Sequence, residues 1–385
     1  MILTRGVLKM NQASTWKPVV KRLEPGERDR LKRAKSLLRN RHYDEALVEF
    51  SAVLEKNPRS ISGLLGAGLV CLKREQFTEA LSRFRQAKDI DPLQSKPYLL
   101  EGIALRRLEN LEESEHAFNA ALSLDARSHR ALMGLGDLAF HKKHYDQALG
   151  YLRRALRYNP QWLPPRFLIA KVNVEQNKLD EAIQELNAIL AIDAGQIRAY
   201  IHMARLYFNH NQLEKAADSL KMALANFPAD NLSAYLKLGL AANDLKMYSI
   251  AETAFRAILA AQPNRQIVQL HWIEALIGGG KLDAAEEALK TLPLNKQNGA
   301  LVHKLLGDLY YQRGQFRIAV EEYRATVLSV PALAEQLVAL VDETDEAADE
   351  DWASVADSYQ PSLTHILNDQ TERLRETRAR RRDTL

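Results

Sequence analysis

The chain has 385 residues, of which 26% are charged and 46% hydrophobic, and a formal net charge of +4, which excludes a wholly disordered or collagen-like protein. Its single cysteine, Cys71, excludes an internal disulfide framework and favours a reducing compartment, so we expect a cytoplasmic location. No apolar run reaches the roughly 18 residues of a membrane-spanning helix, and residues 1–10 lack the apolar stretch of a secretion signal.

The chain begins with a basic stretch. Residues 1–42 contain twelve lysines or arginines against three acidic residues. We assign residues 1–26 to a basic N-terminal arm, because the first helical pattern of apolar residues starts only at Glu27.

From Glu27 onward the sequence repeats itself. A motif that starts as Tyr-Asp-Glu-Ala-Leu at Tyr43 returns in similar form 34 residues later at Phe77, and again at Tyr145. Alignment on the shared alanine divides residues 27–331 into nine units, spaced by 34 residues except for one interval of 35. The units start at Glu27, Ile61, Ser95, His129, Leu163, Ile197, Leu232, Gln266 and Ala300.

Fixed positions within the units have physical reasons. The seventeenth residue is always Tyr, Phe or Leu, the twentieth is Ala or Ser, and the thirty-second is Pro in six units. A proline at that point ends a helix, and small residues let two helices approach closely. The eighth residue is small in eight of the nine units, as the set Ala34, Gly68, Gly102, Gly136, Ala170, Ala204, Gly239, Ile273 and Gly307 shows.

This pattern resembles the tetratricopeptide repeat family. The resemblance implies an all-α fold, a right-handed α-solenoid of antiparallel helix pairs whose first helices line a concave face. One hairpin cannot bury its own apolar face, so we expect residues 27–331 to stack into one elongated array. The variant of the family that clamps chaperone C-termini is disfavoured, because Leu31 and Lys35 stand where that variant needs Lys and Asn.

Two units depart from the pattern. The first carries Arg30 and Arg33 where large apolar residues are usual, which is typical of a solvated end. The eighth has Ile273 at the small position, the run Gly278–Gly280 at its turn and an early proline, Pro293. Glycine runs and a shortened helix weaken packing, so we expect the eighth hairpin to be the loosest.

The resemblance also predicts a binding groove. In this family positions 2, 5, 9, 12 and 13 of each first helix face the concavity, where this chain has an apolar strip edged by lysines and arginines. Such a groove suits an amphipathic partner segment that carries acidic residues. The alternative is that curvature hides the strip and the cations only maintain solubility. The predicted groove residues are Lys73, Lys96, Leu99, Ile103, Arg106, Arg107, Arg130, Met133, Phe140, Phe167, Lys171, Arg198, Arg205 and Phe208.

After the repeats the sequence changes character. Residues 332–341 predict a capping helix, residues 342–360 an acidic linker, and residues 361–385 an Arg-rich helix or tail. Seven acids fall within residues 342–351. Their charge is complementary to the predicted groove, so one hypothesis is that this tail competes with a partner or mediates self-association. The alternative is a solvated tail that only aids solubility.

The sequence shows no catalytic, metal or cofactor motif. Cys71 falls at a core position, which predicts a buried structural cysteine. His141 and His144 have no third ligand nearby, so we interpret them as surface histidines rather than zinc ligands. We therefore predict a non-enzymatic scaffold or adaptor that binds proteins. The alternatives are an RNA-binding helical repeat, which the low net charge disfavours, and a non-catalytic subunit that anchors an enzyme.

Overall fold

A computed structural model describes residues 25–228, 230–292 and 299–328. Within these ranges the chain forms eighteen α-helices and no strand, as predicted, and it divides into two compact units between Lys178 and Leu179. Unit 1 contains α1 (Pro25–Arg39), α2 (Tyr43–Lys56), α3 (Ile61–Lys73), α4 (Phe77–Ile90), α5 (Ser95–Arg107), α6 (Leu111–Leu124), α7 (His129–His141), α8 (Tyr145–Tyr158) and α9 (Leu163–Glu175). Unit 2 contains α10 (Leu179–Ile192), α11 (Ile197–Asn209), α12 (Leu213–Asn226), α13 (Leu232–Asp244), α14 (Tyr248–Ala261), α15 (Gln266–Gly278), α16 (Leu282–Lys290), α17 (Gly299–Gln312) and α18 (Phe316–Leu328).

The helix boundaries follow the repeat positions. Every second helix of a hairpin begins at the seventeenth residue of its repeat, as α2 does at Tyr43 and α4 at Phe77. The helices α2 and α4 end two residues before Pro58 and Pro92, respectively, which confirms that these prolines follow helix ends. The first helix α1 begins at Pro25, two residues earlier than the repeat boundary, because proline is favourable in a first helical turn.

Each hairpin turns through one residue with a positive φ at the fifteenth repeat position. In the third repeat this residue is Glu109, and the Asn110 N–H donates to the Leu105 carbonyl at 3.0 Å while the Glu109 N–H donates to Arg106 at 3.2 Å. These two bonds end α5 by using its last free carbonyls. The same conformation recurs at Arg41, Glu75, Lys143, Asn177, Asn211, Lys246, Gly280 and Gly314.

Small residues on the first helices face large side chains on the second helices. A Cβ added at Gly102 would lie 2.7 Å from the ring of Phe118, and one added at Gly239 would lie 2.6 Å from Phe255. Both rings are at most 1% exposed. The predicted close approach is therefore confirmed in these two hairpins, and its cause is a buried ring at the twenty-fourth repeat position.

The first helices also pack against one another. In unit 1 the pairs α1–α3, α5–α7 and α7–α9 are in contact, whereas the second helices α2, α4, α6 and α8 do not pack together to that extent. When the helices on one side of a stack of hairpins lie closer together than those on the other side, the stack curves toward the closer side, which is then its inner side. We therefore use the term inner face for positions 2, 5, 9, 12 and 13 of the first helices.

The eighth hairpin has the short second helix that the sequence predicts. The helix α16 has nine residues, and Ile273 is fully buried against its neighbours at the position that is small elsewhere. Gly278 is needed, because a Cβ there would collide with the ring of Tyr248. That this hairpin is the loosest stays a prediction, and Pro293 lies outside the described residues.

Several predictions concern parts of the chain that the structure does not describe. Most of the basic arm of residues 1–26, the capping helix, the acidic linker and the Arg-rich tail lie outside the described residues. The continuity of all nine repeats in one array also stays a prediction, because the two units are described separately.

Candidate functional site on the inner face of the first helices

The apolar strip of the inner face is more deeply buried than predicted. Leu99 is 8% exposed and packs in a core cluster with Phe118 and Leu135, so its assignment to an open groove floor is wrong. It is covered because adjacent first helices and the second helix of its own hairpin meet over it. Ile103 and Met133 are only half-buried, so they are the apolar side chains that this part of unit 1 offers to a ligand.

Phe140 was also predicted to line the groove, but it is 9% exposed and belongs to a core cluster with Leu152 and Ile169. The ammonium of Lys171 lies 4.8 Å from the centre of the Phe140 ring. This cation–π contact covers the ring and leaves the charge of Lys171 on the surface. A ligand would therefore meet Lys171 rather than Phe140. Phe167, which precedes Lys171 by four residues, is half-buried.

Four of the predicted cations of unit 1 are exposed and unpaired. Lys73, Lys96, Arg107 and Arg130 form no ion pair or hydrogen bond with any described side chain. Their charge is therefore available to a ligand, because no carboxylate in the described residues neutralises it.

The lowered pKa of Lys96 indicates that this face is electropositive. Partial burial of its side chain lowers the pKa of Lys96, and the charges of Lys35 and Arg130 lower it further. The three side chains thus belong to one electropositive region, although they come from the first, third and fourth repeats. Lys35 was not among the predicted groove residues. Its place at the ninth repeat position, which it shares with Lys171, was the signal in the sequence.

Arg106 does not join this set of free cations. Its Nε donates to Asp137 Oδ2 at 2.9 Å, and the other carboxylate oxygen of Asp137 lies 3.7 Å from His141 Nε2. Both side chains of the Arg106–Asp137 pair are about one quarter to one third exposed. The pair links α5 to α7, so the prediction of Arg106 as an open rim cation needs correction: most of its charge is used within the fold.

In unit 2 the predicted cations lie on α11. The Arg205 guanidinium contacts Asp244 at 3.1 Å, and Arg198 Nε donates to His202 Nε2 at 3.1 Å. Burial lowers the pKa of His202, with further contributions from Arg198 and then Arg205. Phe208 is half-buried and packs against the core of the unit. This face is electropositive too, but its arginines already have partners.

Further along unit 2 the inner face becomes a polar network. Lys304 stands at position 5, where the other repeats have apolar residues, and its ammonium lies 2.7 Å from Asp308. Tyr323 donates to the same carboxylate at 2.9 Å, and Asn243 donates to Glu274 at 3.3 Å. An apolar strip therefore does not continue through the ninth repeat.

Among the described residues no group of three or more His, Cys, Asp and Glu side chains is arranged to hold a metal ion. Cys71 is fully buried as predicted, and burial raises the pKa of its thiol. His141 and His144 are exposed. In the ranges that the structure describes, no helix has the length and apolar character needed to cross a bilayer.

Comparison with known families gives matches along most of the chain. Two family models, both described as Tetratricopeptide repeat, match residues 31–95, 99–162 and 143–197 in one case and residues 173–239 and 244–309 in the other.

Curated relatives have low sequence identity to this chain. The chain is 24% identical over 321 residues to the Protein CTR9 homolog of Arabidopsis thaliana, covering 79% of this chain and 26% of that protein. It is 23% identical over 224 residues to the Peroxisomal targeting signal receptor of Kluyveromyces lactis, covering 49% and 40%, respectively. It is 20% identical over 247 residues to human Anaphase-promoting complex subunit 7, covering 63% and 42%. The chain thus spans less than half the length of these relatives.

Two solved structures are similar to about half of the chain at low sequence identity. PilW, described as a widely conserved type IV pilus biogenesis factor, is 20% identical with a TM-score of 0.49, over 54% of this chain and 97% of that one. Pseudomonas aeruginosa PilF is 18% identical with a TM-score of 0.45, over 52% and 92%.

Proposed function

Since the chain belongs to the tetratricopeptide repeat family, we propose that it is a non-enzymatic scaffold that assembles a protein complex by binding an acidic, amphipathic partner segment on its inner face. The observation that carries the proposal is the set of free cations in unit 1. Lys73, Lys96, Arg107 and Arg130 are exposed and have no anionic partner among the described residues.

An acidic ligand would offset the repulsion among the cations in this region. The charges of Lys35 and Arg130 act on Lys96 and make its protonated form less favourable. A carboxylate placed among these three cations reverses that effect, because each interacts attractively with it. Charges on the rim of an interface mainly set the association rate and the orientation of the ligand. The cationic residues therefore select an acidic segment and direct it along the face.

Apolar contacts supply the other half of the recognition. Ile103 and Met133 are half-buried: Ile103 lies between Lys96 and Arg107 on α5, and Met133 lies three residues after Arg130 on α7. Their exposed parts are too small for a fully apolar ligand, but they suit a few apolar side chains on one side of a helix or strand. The ligand that fits this mixture is amphipathic, with acids flanking a narrow apolar stripe.

The relatives support a scaffold role by their descriptions alone. One is described as a subunit of the anaphase-promoting complex and another as a receptor for a peroxisomal targeting signal. Both descriptions concern association with other proteins. Because this chain spans less than half of either protein, we carry over to our proposal only the general role of protein binding.

The test compares three full-length baits in extracts of the source cells, with bound proteins quantified by mass spectrometry. The inner-face variant carries Lys96→Glu, Arg107→Glu and Arg130→Glu. The matched control needs the same change in net charge at three exposed, unpaired loop cations outside the inner face. It carries Arg41→Glu, Arg59→Glu and Lys143→Glu.

We expect the inner-face variant to lose a set of partners that the wild type and the control variant retain. The segment that binds, once mapped and synthesised, should associate with the inner-face variant roughly 10–1,000-fold more slowly at low salt than with the wild type, and this difference should shrink at high salt. All three proteins should melt at similar temperatures, because exposed charges contribute little to stability. Equal capture by the two variants would show that the partner does not use this face.

A further inference from the structure

A second cationic surface lies on the outer side of α8. Arg153, Arg154 and Arg157 are exposed there and form no ion pair or hydrogen bond with any described side chain. We call these three residues the arginine face. They occupy repeat positions 25, 26 and 29 on a second helix, so they are separate from the inner face of the first helices.

The repeat itself does not require arginine at these positions. The equivalent residues on α6 are Asn119, Ala120 and Ser123. On α4 only the first is an arginine, Arg85, and it is held by Glu101 at 3.0 Å and by another carboxylate. An arginine that serves the fold thus has acidic partners, and the arginine face has none in the described residues.

Three guanidinium groups in one helical turn repel one another. Arg153 and Arg157 are spaced i,i+4, and Arg154 and Arg157 are spaced i,i+3, and like charges at these spacings destabilise a helix. The only acid on α8 is Asp146, seven residues before Arg153, which is about two turns away. This repulsion is relieved when an anion binds across the three groups.

The chain itself contains an acidic segment whose charge is complementary to the arginine face. Residues 342–351 hold seven Asp or Glu and no Lys or Arg, arranged in dense blocks, and Trp352 follows directly. We propose that this acidic segment docks on the arginine face of a second copy of the chain. A dense acidic block suits three cations in a single turn better than the inner-face cations, which lie on separate helices, one or two to each helix.

The surface around the arginine face has room for such a segment. Tyr158, next to Arg157 at the end of α8, is 46% exposed and presents an aromatic surface to the side chains that flank the acids. Gly150 lies one turn before Arg153 and Arg154 on the exposed side, and a Cβ added there would meet nothing within 4 Å. The inference does not depend on the proposed function, because it uses other helices and another ligand.

The test is site-directed cross-linking in the full chain. Gly150→Cys places a thiol beside the arginine face, Ala348→Cys places one in the acidic segment, and a short bis-maleimide joins thiols that come close. The natural thiol of Cys71 is fully buried and does not compete. The matched control replaces Gly150→Cys by His116→Cys, an exposed residue at the same repeat position on α6.

We expect the Gly150→Cys, Ala348→Cys protein to cross-link at least about tenfold faster at low salt than the His116→Cys control, since complementary charge raises the local concentration of the segment. The advantage should disappear near 1 M salt, where the Debye length is about 3 Å. A cross-linked dimer supports docking between copies, and a fast reaction that gives only an intramolecular product would overturn the proposal.

Adding Arg153→Glu, Arg154→Glu and Arg157→Glu should abolish the fast reaction. Circular dichroism before and after the substitutions checks that the helices are retained. Equal cross-linking rates for Gly150→Cys and His116→Cys would overturn the proposal. So would a fast reaction that persists after the three arginines are reversed. The proposal would also be overturned if the inner-face substitutions removed the fast reaction and the arginine-face substitutions did not, since that result would place the segment on the inner face.

Discussion

The left-handed turn residue gives a direct test of how the hairpins are stabilised. Glu109 has a φ of 61°, is exposed, and makes no side-chain hydrogen bond or ion pair with a described residue. A non-glycine residue costs roughly 1–2 kcal/mol in this conformation, whereas glycine adopts it freely but loses about 0.5–1 kcal/mol of conformational freedom on folding. We therefore expect Glu109→Gly to raise the free energy of unfolding by about 0.5–1 kcal/mol.

Urea denaturation followed by far-ultraviolet circular dichroism measures this change. Glu109→Ala is the matched control, because it removes the same side chain but keeps the Cβ that causes the strain, so it should leave the stability almost unchanged. Combining Glu75→Gly, Glu109→Gly and Lys143→Gly, which lie in separate hairpins, should add up to about 1.5–3 kcal/mol. If glycine and alanine at position 109 change the free energy of unfolding equally, the positive φ is not a source of strain and the reasoning is wrong.

Three other perturbations have expected outcomes. Phe118→Ala should lower the free energy of unfolding by about 3–5 kcal/mol in the same assay, because it empties a buried aromatic site; a loss under about 1 kcal/mol would mean that the site collapses. Burial lowers the pKa of Lys304, but Asp308 and then Glu274 raise it, and the net shift is upward. A lysine whose pKa is raised in the folded state stabilises the fold at pH values below its ordinary pKa of 10.5, and this contribution is lost as the pH rises through the folded-state pKa. The melting temperature of the wild type should therefore fall over this alkaline range, and that of Lys304→Met should not. Cys71 should react with a maleimide only after unfolding, and fast labelling of the native protein would contradict its burial.

Much of the fold is predictable because its determinants are local and repeated. Each hairpin carries its own small residue, turn residue and proline, and the repetition in nine units separates this pattern from chance. The second helices accordingly begin where the sequence predicts. One local feature was missed. The positive φ at the fifteenth position falls mostly on Glu, Lys, Arg and Asn rather than glycine, so residue type gives little sign of it.

The candidate site was predicted less well, because exposure and pairing depend on residues far apart in the sequence. The repeat register placed Lys96, Arg107 and Arg130 correctly among first-helix surface residues, since helical periodicity alone decides which side of a helix a residue occupies. Periodicity does not decide how much of that side a neighbouring helix covers. Leu99 is therefore a core residue, although it shares its repeat position with the half-buried Met133.

The sequence by itself thus determined the all-α hairpins, their length and their order, because these follow from interactions within about 34 residues of chain. The tertiary structure decided which cations are free to bind. Arg106 is neutralised by Asp137, 31 residues away on another helix, while the adjacent Arg107 remains exposed and without a partner among the described residues. Neighbours in sequence point in different directions around a helix, so only the packed arrangement of the helices determines which charge meets a carboxylate and which meets solvent.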